Sequence, residues 1–172
     1  MSKNRPSFSQ FLDFFPPVDL PINLTDETLM VFSKENKPLP SPFVAEYIMK
    51  HDNTEPDEFT EYVPCFRIPD TDNFQAVVYW KAQLLNYEFH IITFDNKGEF
   101  ITGKVLGGTI TNGDTVIKSV ASIDKDWIIT IVTGEDDVHN LIYNPEESKA
   151  YSMELLSTGD IIFSLNEDDI AL

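Results

Sequence analysis

Apolar residues recur along this chain with two different periods, and the change falls near residue 61. Before it the spacing is helical. Phe8, Phe11, Leu12 and Phe15 stand at i, i+3, i+4 and i+7, which predicts a short helix within residues 7–15. Pro16 and Pro17 stop it, because proline offers no N–H to the helical ladder. Residues 18–24 read as an extended arm, since Pro21 biases Leu20 towards β or polyproline backbone. Thr25 is placed to cap a second helix, with Asp26 and Glu27 at the favoured end of its dipole and Leu24 and Leu29 at the positions of a hydrophobic staple. That helix should end near Asn36, ahead of Pro38. Ser41 as N-cap and Pro42 at the first helical position start a third, carried by the pairs Phe43/Tyr47 and Val44/Ile48 to about His51. Residues 53–61 form an acidic connector.

From residue 62 the period drops to two, glycine appears, and β-branched and aromatic residues dominate. Residues 62–68 read as an edge strand, because Pro64 cannot donate to a ladder. Residues 74–81 place Phe74, Ala76, Val78 and Trp80 on one side and Gln75, Val77, Tyr79 and Lys81 on the other. Residues 84–95 do the same with Leu85, Tyr87, Phe89 and Ile91 against Glu88, His90 and Ile92. Asp95-Asn96-Lys97-Gly98 is a hairpin turn. Further strands are predicted at 99–106, 115–123, 127–133, 138–143, 150–156 and 160–165. Gly107–Gly108 and Asn112–Gly113–Asp114 read as turns around a short strand at 109–111, and residues 134–137 as another turn. The nearly all-apolar stretch 127–133 reads as a central strand covered on both faces. Residues 166–172 are an acidic tail.

Short connections force antiparallel neighbours. The fold class is therefore mainly β: an antiparallel meander of about eight to nine strands forming a curled sheet or barrel, preceded by two to three short N-terminal helices. All 172 residues suit one domain, with the Pro-rich segment 1–61 packing on the meander 62–165. A weak echo between residues 91–95 and 140–144 has the spacing of propeller blades, but two blades do not close a propeller, so that architecture would need completion by oligomerisation.

Charge narrows the partners. Twelve Lys and Arg stand against 29 Asp and Glu, a formal charge of −17. Such a field repels nucleic-acid phosphates and anionic membrane surfaces, and it speeds encounter with a basic protein. No uninterrupted apolar stretch has signal-peptide or membrane-span length, so the expected location is the cytoplasm. Cys65, the single cysteine, excludes an intramolecular disulfide and a multi-cysteine zinc site, and its apolar surroundings mark a structural thiol.

Candidate chemistry is sparse. His51, His90 and His139 fall in no metal-ligand spacing, so no metal site and no cofactor is expected. Asp95–Glu99 lacks the alternating oxygen ligands of a calcium loop. The clusters Asp124/Asp126 and Glu135/Asp136/Asp137 read as solvated turns. No nucleophile elbow, phosphate loop or dinucleotide fingerprint occurs, and no catalytic residue is assigned. One constellation remains: Trp80, Tyr87, Phe89 and Trp127 on neighbouring strands, which either fill the interior or line an apolar ligand pocket. The leading reading is a non-enzymatic interaction protein with an acidic surface, of the inhibitor or immunity type. The alternative is a small-ligand-binding barrel, or barrel enzyme, with that aromatic pocket.

Overall fold

The helical signals before residue 52 all yield helices in a computed structural model, which describes residues 5–52, 57–137 and 149–164. Helix α1 (Phe8–Asp13) is capped by Ser7, whose Oγ accepts from the Gln10 N–H at 3.3 Å. Helix α2 (Asp26–Glu35) starts at Thr25, which forms a reciprocal capping box with Thr28. Helix α3 (Ser41–Tyr47) begins one residue earlier than expected. The Pro40 carbonyl accepts from Phe43 and Val44, so Pro40 is the cap and Ser41 already lies inside the helix. A single 3₁₀ turn follows at Met49–His51. The arm between α1 and α2 contains a strand that the sequence pattern did not predict: β1 (Ile22–Leu24).

The remaining strands are β2 (Glu61–Arg67), β3 (Phe74–Ala82), β4 (Asn86–Asp95), β5 (Phe100–Asn112), β6 (Thr115–Ile123), β7 (Ile128–Asp137), β8 (Lys149–Leu155) and β9 (Ile161–Ser164). They form one antiparallel meander in chain order, with β1 joined to β6 off the main path. The sheet curls but does not close, so of the two expected forms the barrel is not realised. Among the described residues no ladder joins β9 to β2. The outer edge of β2 is already occupied: Asn36 Nδ2 donates to the Pro64 and Cys65 carbonyls at 2.8 Å each, and Pro17 bridges Arg67. The curl is instead fastened by a side chain, Thr93 Oγ1 donating to the Gly159 carbonyl of the β8–β9 turn at 2.7 Å.

Gly107 and Gly108 do not make a turn. Both lie inside the 13-residue strand β5, where the register against β4 shifts. A Cβ on Gly108 would stand 1.8 Å from the Tyr87 carbonyl oxygen, and one on Gly107 would stand 2.9 Å from that of Ser119. These glycines let β5 bend against both neighbours. Beyond the bend β5 and β6 part: their ladder covers only Gly108–Asn112 with Thr115–Ser119, and β1 takes up Ala121–Ile123. Residues 134–137, expected as a turn, continue β7 in register with β6. The strand expected at 138–143, most of the turn after it, and the tail 166–172 lie outside the described residues.

Strict alternation on β3 sends its side chains to two cores. Phe74, Ala76, Val78 and Trp80 enter the concave side with Phe89, Ile91, Ile131 and Met153, where Leu24 and Phe32 pack from β1 and α2. Val77 and Tyr79 enter the convex side, where Phe11 and Phe15 of the α1 segment and Val44, Tyr47 and Ile48 of the α3 segment cover them. Phe11 is fully buried and stacks on Tyr47 at 4.6 Å. Burying a ring of that size contributes roughly 1.5–3 kcal/mol. The strand covered on both faces is thus β3, not the expected 127–133. Strand β7 is internal to the sheet, yet no described helix lies on its outer face, where Val132 remains 43% exposed. No described helix is long and apolar enough to cross a membrane.

Candidate functional site: a polar cleft where the helical layer stops

Helices α1 and α3 cover the convex side of β3 and β4 as far as Val77, Tyr79, Ile92 and Phe94. The next outward positions on the same strands are polar. The β2–β3–β4 register sets Tyr62, Lys81 and Glu88 in one row and Tyr79 opposite His90 in the next. The 3₁₀ turn brings His51 and Asp52 to one side of these rows, and β5 supplies the other with Phe100 and Gly103. Together they wall a cleft of about 630 Å³.

Its floor is an ion pair. Lys81 Nζ lies 2.5 Å from Asp52 Oδ2, and the two side chains are 2% and 6% exposed. Tyr62 also donates to Asp52 Oδ2, at 3.3 Å. Burial pushes the Tyr62 and Tyr79 phenols far above their ordinary range, with the nearby Asp52 charge adding to it, so both stay protonated donors. Along β4, His90 Nε2 and Glu88 Oε2 are 2.9 Å apart, and the His90 ring lies parallel to Tyr79 at 5.1 Å. The hydrogen bond with His90 holds the Glu88 carboxyl below its usual range despite its partial burial. Opposite, His51 stacks on Phe100 at 4.1 Å, and burial lowers its imidazole pKa. Asn86 lines the same cleft, and its Oδ1 is a buried acceptor with no hydrogen-bond partner among the described residues.

This arrangement can bind. Charged and polar groups of both signs converge on a concave surface, a combination associated with ligand sites. Two of the three histidines meet here, while His139 lies outside the described residues. No group of three or more metal-ligating side chains occurs among the described residues.

The aromatic set divides. Trp80 packs edge-on against Phe89 at 4.7 Å and parallel to Tyr87 at 6.1 Å. Trp80 and Phe89 are core residues, and Tyr87 is 41% exposed. Trp127 sits apart, edge-on to Phe74 at 5.6 Å, and borders a separate recess of about 550 Å³ with Asp19, Asp70 and Lys125. The acidic turns are committed to their own backbones. Asp95 Oδ1 accepts from Lys97 and Glu99, and Asp124 Oδ1 accepts from Asp126 and Ile128.

The cleft residues did not stand out in the sequence, although a signal for them exists. The outer side of residues 74–81 turns polar at Lys81, and that of residues 84–95 turns polar at Glu88 and His90. Folding the two strands as one hairpin puts those positions together. Asp52 comes from a segment far away in sequence and gives no such signal. Comparison with protein-family models, with curated proteins and with solved structures finds no significant match to this chain.

Proposed function

We propose that this is a non-enzymatic binding protein whose ligand, a small polar molecule, enters the cleft beside Lys81, Asp52, Glu88 and His90. The observation that carries the reading is the Lys81–Asp52 pair, almost wholly removed from water at the floor of an otherwise accessible cleft. Withdrawing two charges from water is expensive, and well-packed apolar residues would serve stability at least as well. A pair kept there fits a role in recognition. Titrating a panel of small metabolites into ¹⁵N-labelled protein tests this: a true ligand moves the amides of residues 79–81 and 86–90 saturably. A panel that moves only amides remote from the cleft counts against it.

A second reading rests on a separate observation, the charge of −17. The acidic exterior would engage a basic protein in the cytoplasm, as an inhibitor or immunity-type partner does. Its encounter rate should fall steeply with salt. A partner whose association is indifferent to ionic strength removes this mechanism.

A further inference from the structure

We infer that the cleft selects a small organic cation, one carrying an ammonium or guanidinium group, and holds it on Asn86 and Glu88. This rests on the cleft being a ligand site and adds the class of ligand. Three lysines line the cleft: Lys81 is committed to Asp52 at 2.5 Å and Lys50 to Glu46 at 2.8 Å, while Lys104 lies over the Phe163 ring at 5.4 Å. An anion entering would meet Glu88 and Asp52 with Lys104 alone, on the β5 side, to offset them.

Acceptors are in a different position. Asn86 Oδ1 is buried and has no hydrogen-bond partner among the described residues. Glu88 engages His90 through Oε2, and among the described residues its Oε1 has no hydrogen-bond partner. Asn86 and Glu88 are two apart on β4, so they face the same side, roughly 6–7 Å apart along the strand. A diamine or a guanidinium offers more than one N–H to such a pair. Tyr79 and Phe100 add aromatic wall, a surface that suits cations. The charge of −17 raises the local concentration of any cation.

The test uses the full chain, ¹⁵N-labelled, with four probes: putrescine, agmatine, inorganic phosphate and glucose. Salt is held near 150 mM, where the Debye length is about 8 Å and diffuse attraction is damped. Putrescine or agmatine should shift the amides of residues 86–90 saturably, and phosphate and glucose should not. Glu88→Gln should weaken the cation by about tenfold or more, and Asn86→Ala by several-fold, as loss of a charge-assisted and of a neutral hydrogen bond implies. If either variant loses its dispersed spectrum, the wild-type mapping alone decides. Cleft shifts produced only by phosphate or glucose overturn the cation inference and leave the cleft as a ligand site. Cation shifts scattered over the acidic surface overturn the inference as non-specific. Silence of the cleft towards all four probes overturns it and counts against the ligand-site reading as well.

Discussion

Replacing Lys81 by methionine preserves a long apolar stem and removes the ammonium. Asp52 then keeps its charge in a position only 6% exposed. A surface ion pair is worth at most about 1 kcal/mol. Breaking a buried pair from one side costs about 3–5 kcal/mol, because the remaining ion is uncompensated. With exposures of 2% and 6%, this pair belongs to the second class. The long Tyr62 hydrogen bond, at 3.3 Å, and the other contacts of Asp52 offset part of this cost. We therefore expect K81M to lose about 3 kcal/mol in urea denaturation, and its Tm to fall by about 6–12 °C for a chain of this length. The loss should depend on pH. Without its cation, Asp52 has a folded-state pKa above the unfolded value of about 3.9. Its stabilising contribution is then complete only below that value and disappears as pH rises through the folded pKa. The deficit is accordingly largest at neutral pH and shrinks towards pH ~4. The double variant K81M/D52L, which leaves no orphaned ion, should recover at least half of the loss. A K81M loss below about 1 kcal/mol, independent of pH, would refute the claim that the cleft floor is desolvated.

Four further outcomes follow from the geometry. Gly108→Ala should be severely destabilising, by about 4 kcal/mol or more, because its Cβ would stand 1.8 Å from a carbonyl oxygen. Gly113→Ala, in open space at φ +61°, should cost only about 1–2 kcal/mol; urea midpoints of the two variants check the contrast. Asn36→Ala removes two hydrogen bonds from the β2 edge and should cost about 1–2 kcal/mol, with faster amide exchange along Glu61–Arg67. The Cys65 thiol, fully buried and with its pKa pushed up by burial, should ignore a thiol reagent until the chain unfolds; rapid labelling of native protein would contradict this. For His51, burial lowers the folded pKa below 6.5. As pH falls through 6.5 the unfolded chain takes up a proton that the folded one refuses, so stability drops. His51→Phe, which keeps a ring against Phe100, should flatten the urea-midpoint slope between about pH 7 and pH 5.

The elements were legible from local signals. Thr25 caps as its neighbours imply, and the period-two stripe of Phe74, Ala76, Val78 and Trp80 enters one core as a unit. The misreadings share a cause: they concern what lies beside a segment, which local pattern does not encode. Ile22–Leu24 is a strand only because β6 parts from β5 and leaves a ladder to fill. Gly107 and Gly108 carry the composition of a turn, yet they serve close approach between strands. The apolar run at 127–133 suggests cover on both faces, but the helices lie on β3 and β4 instead. The cleft was hidden for the same reason. Lys81, Glu88 and His90 belong to one hairpin and could be paired by register, whereas Asp52 arrives from the end of the helical segment, 29 positions before Lys81. The single aromatic constellation visible in the sequence mixed residues of one hairpin with Trp127, which packs on Phe74 instead.

The pairing of β1 with β6 has a consequence for synthesis. Leu24 finds its partner only in Ala121. At 5–20 residues per second, a ribosome takes on the order of 5–20 s to make the intervening chain. Leu24 waits through all of that interval, while Phe11 and Phe15 wait for β3 and β4 and Phe32 for Phe66 of β2. The first part of the chain to be made is among the last to be housed, and for those seconds it is the natural target of whatever holds nascent chains apart. A fold with so many distant partners is also slow to assemble once released.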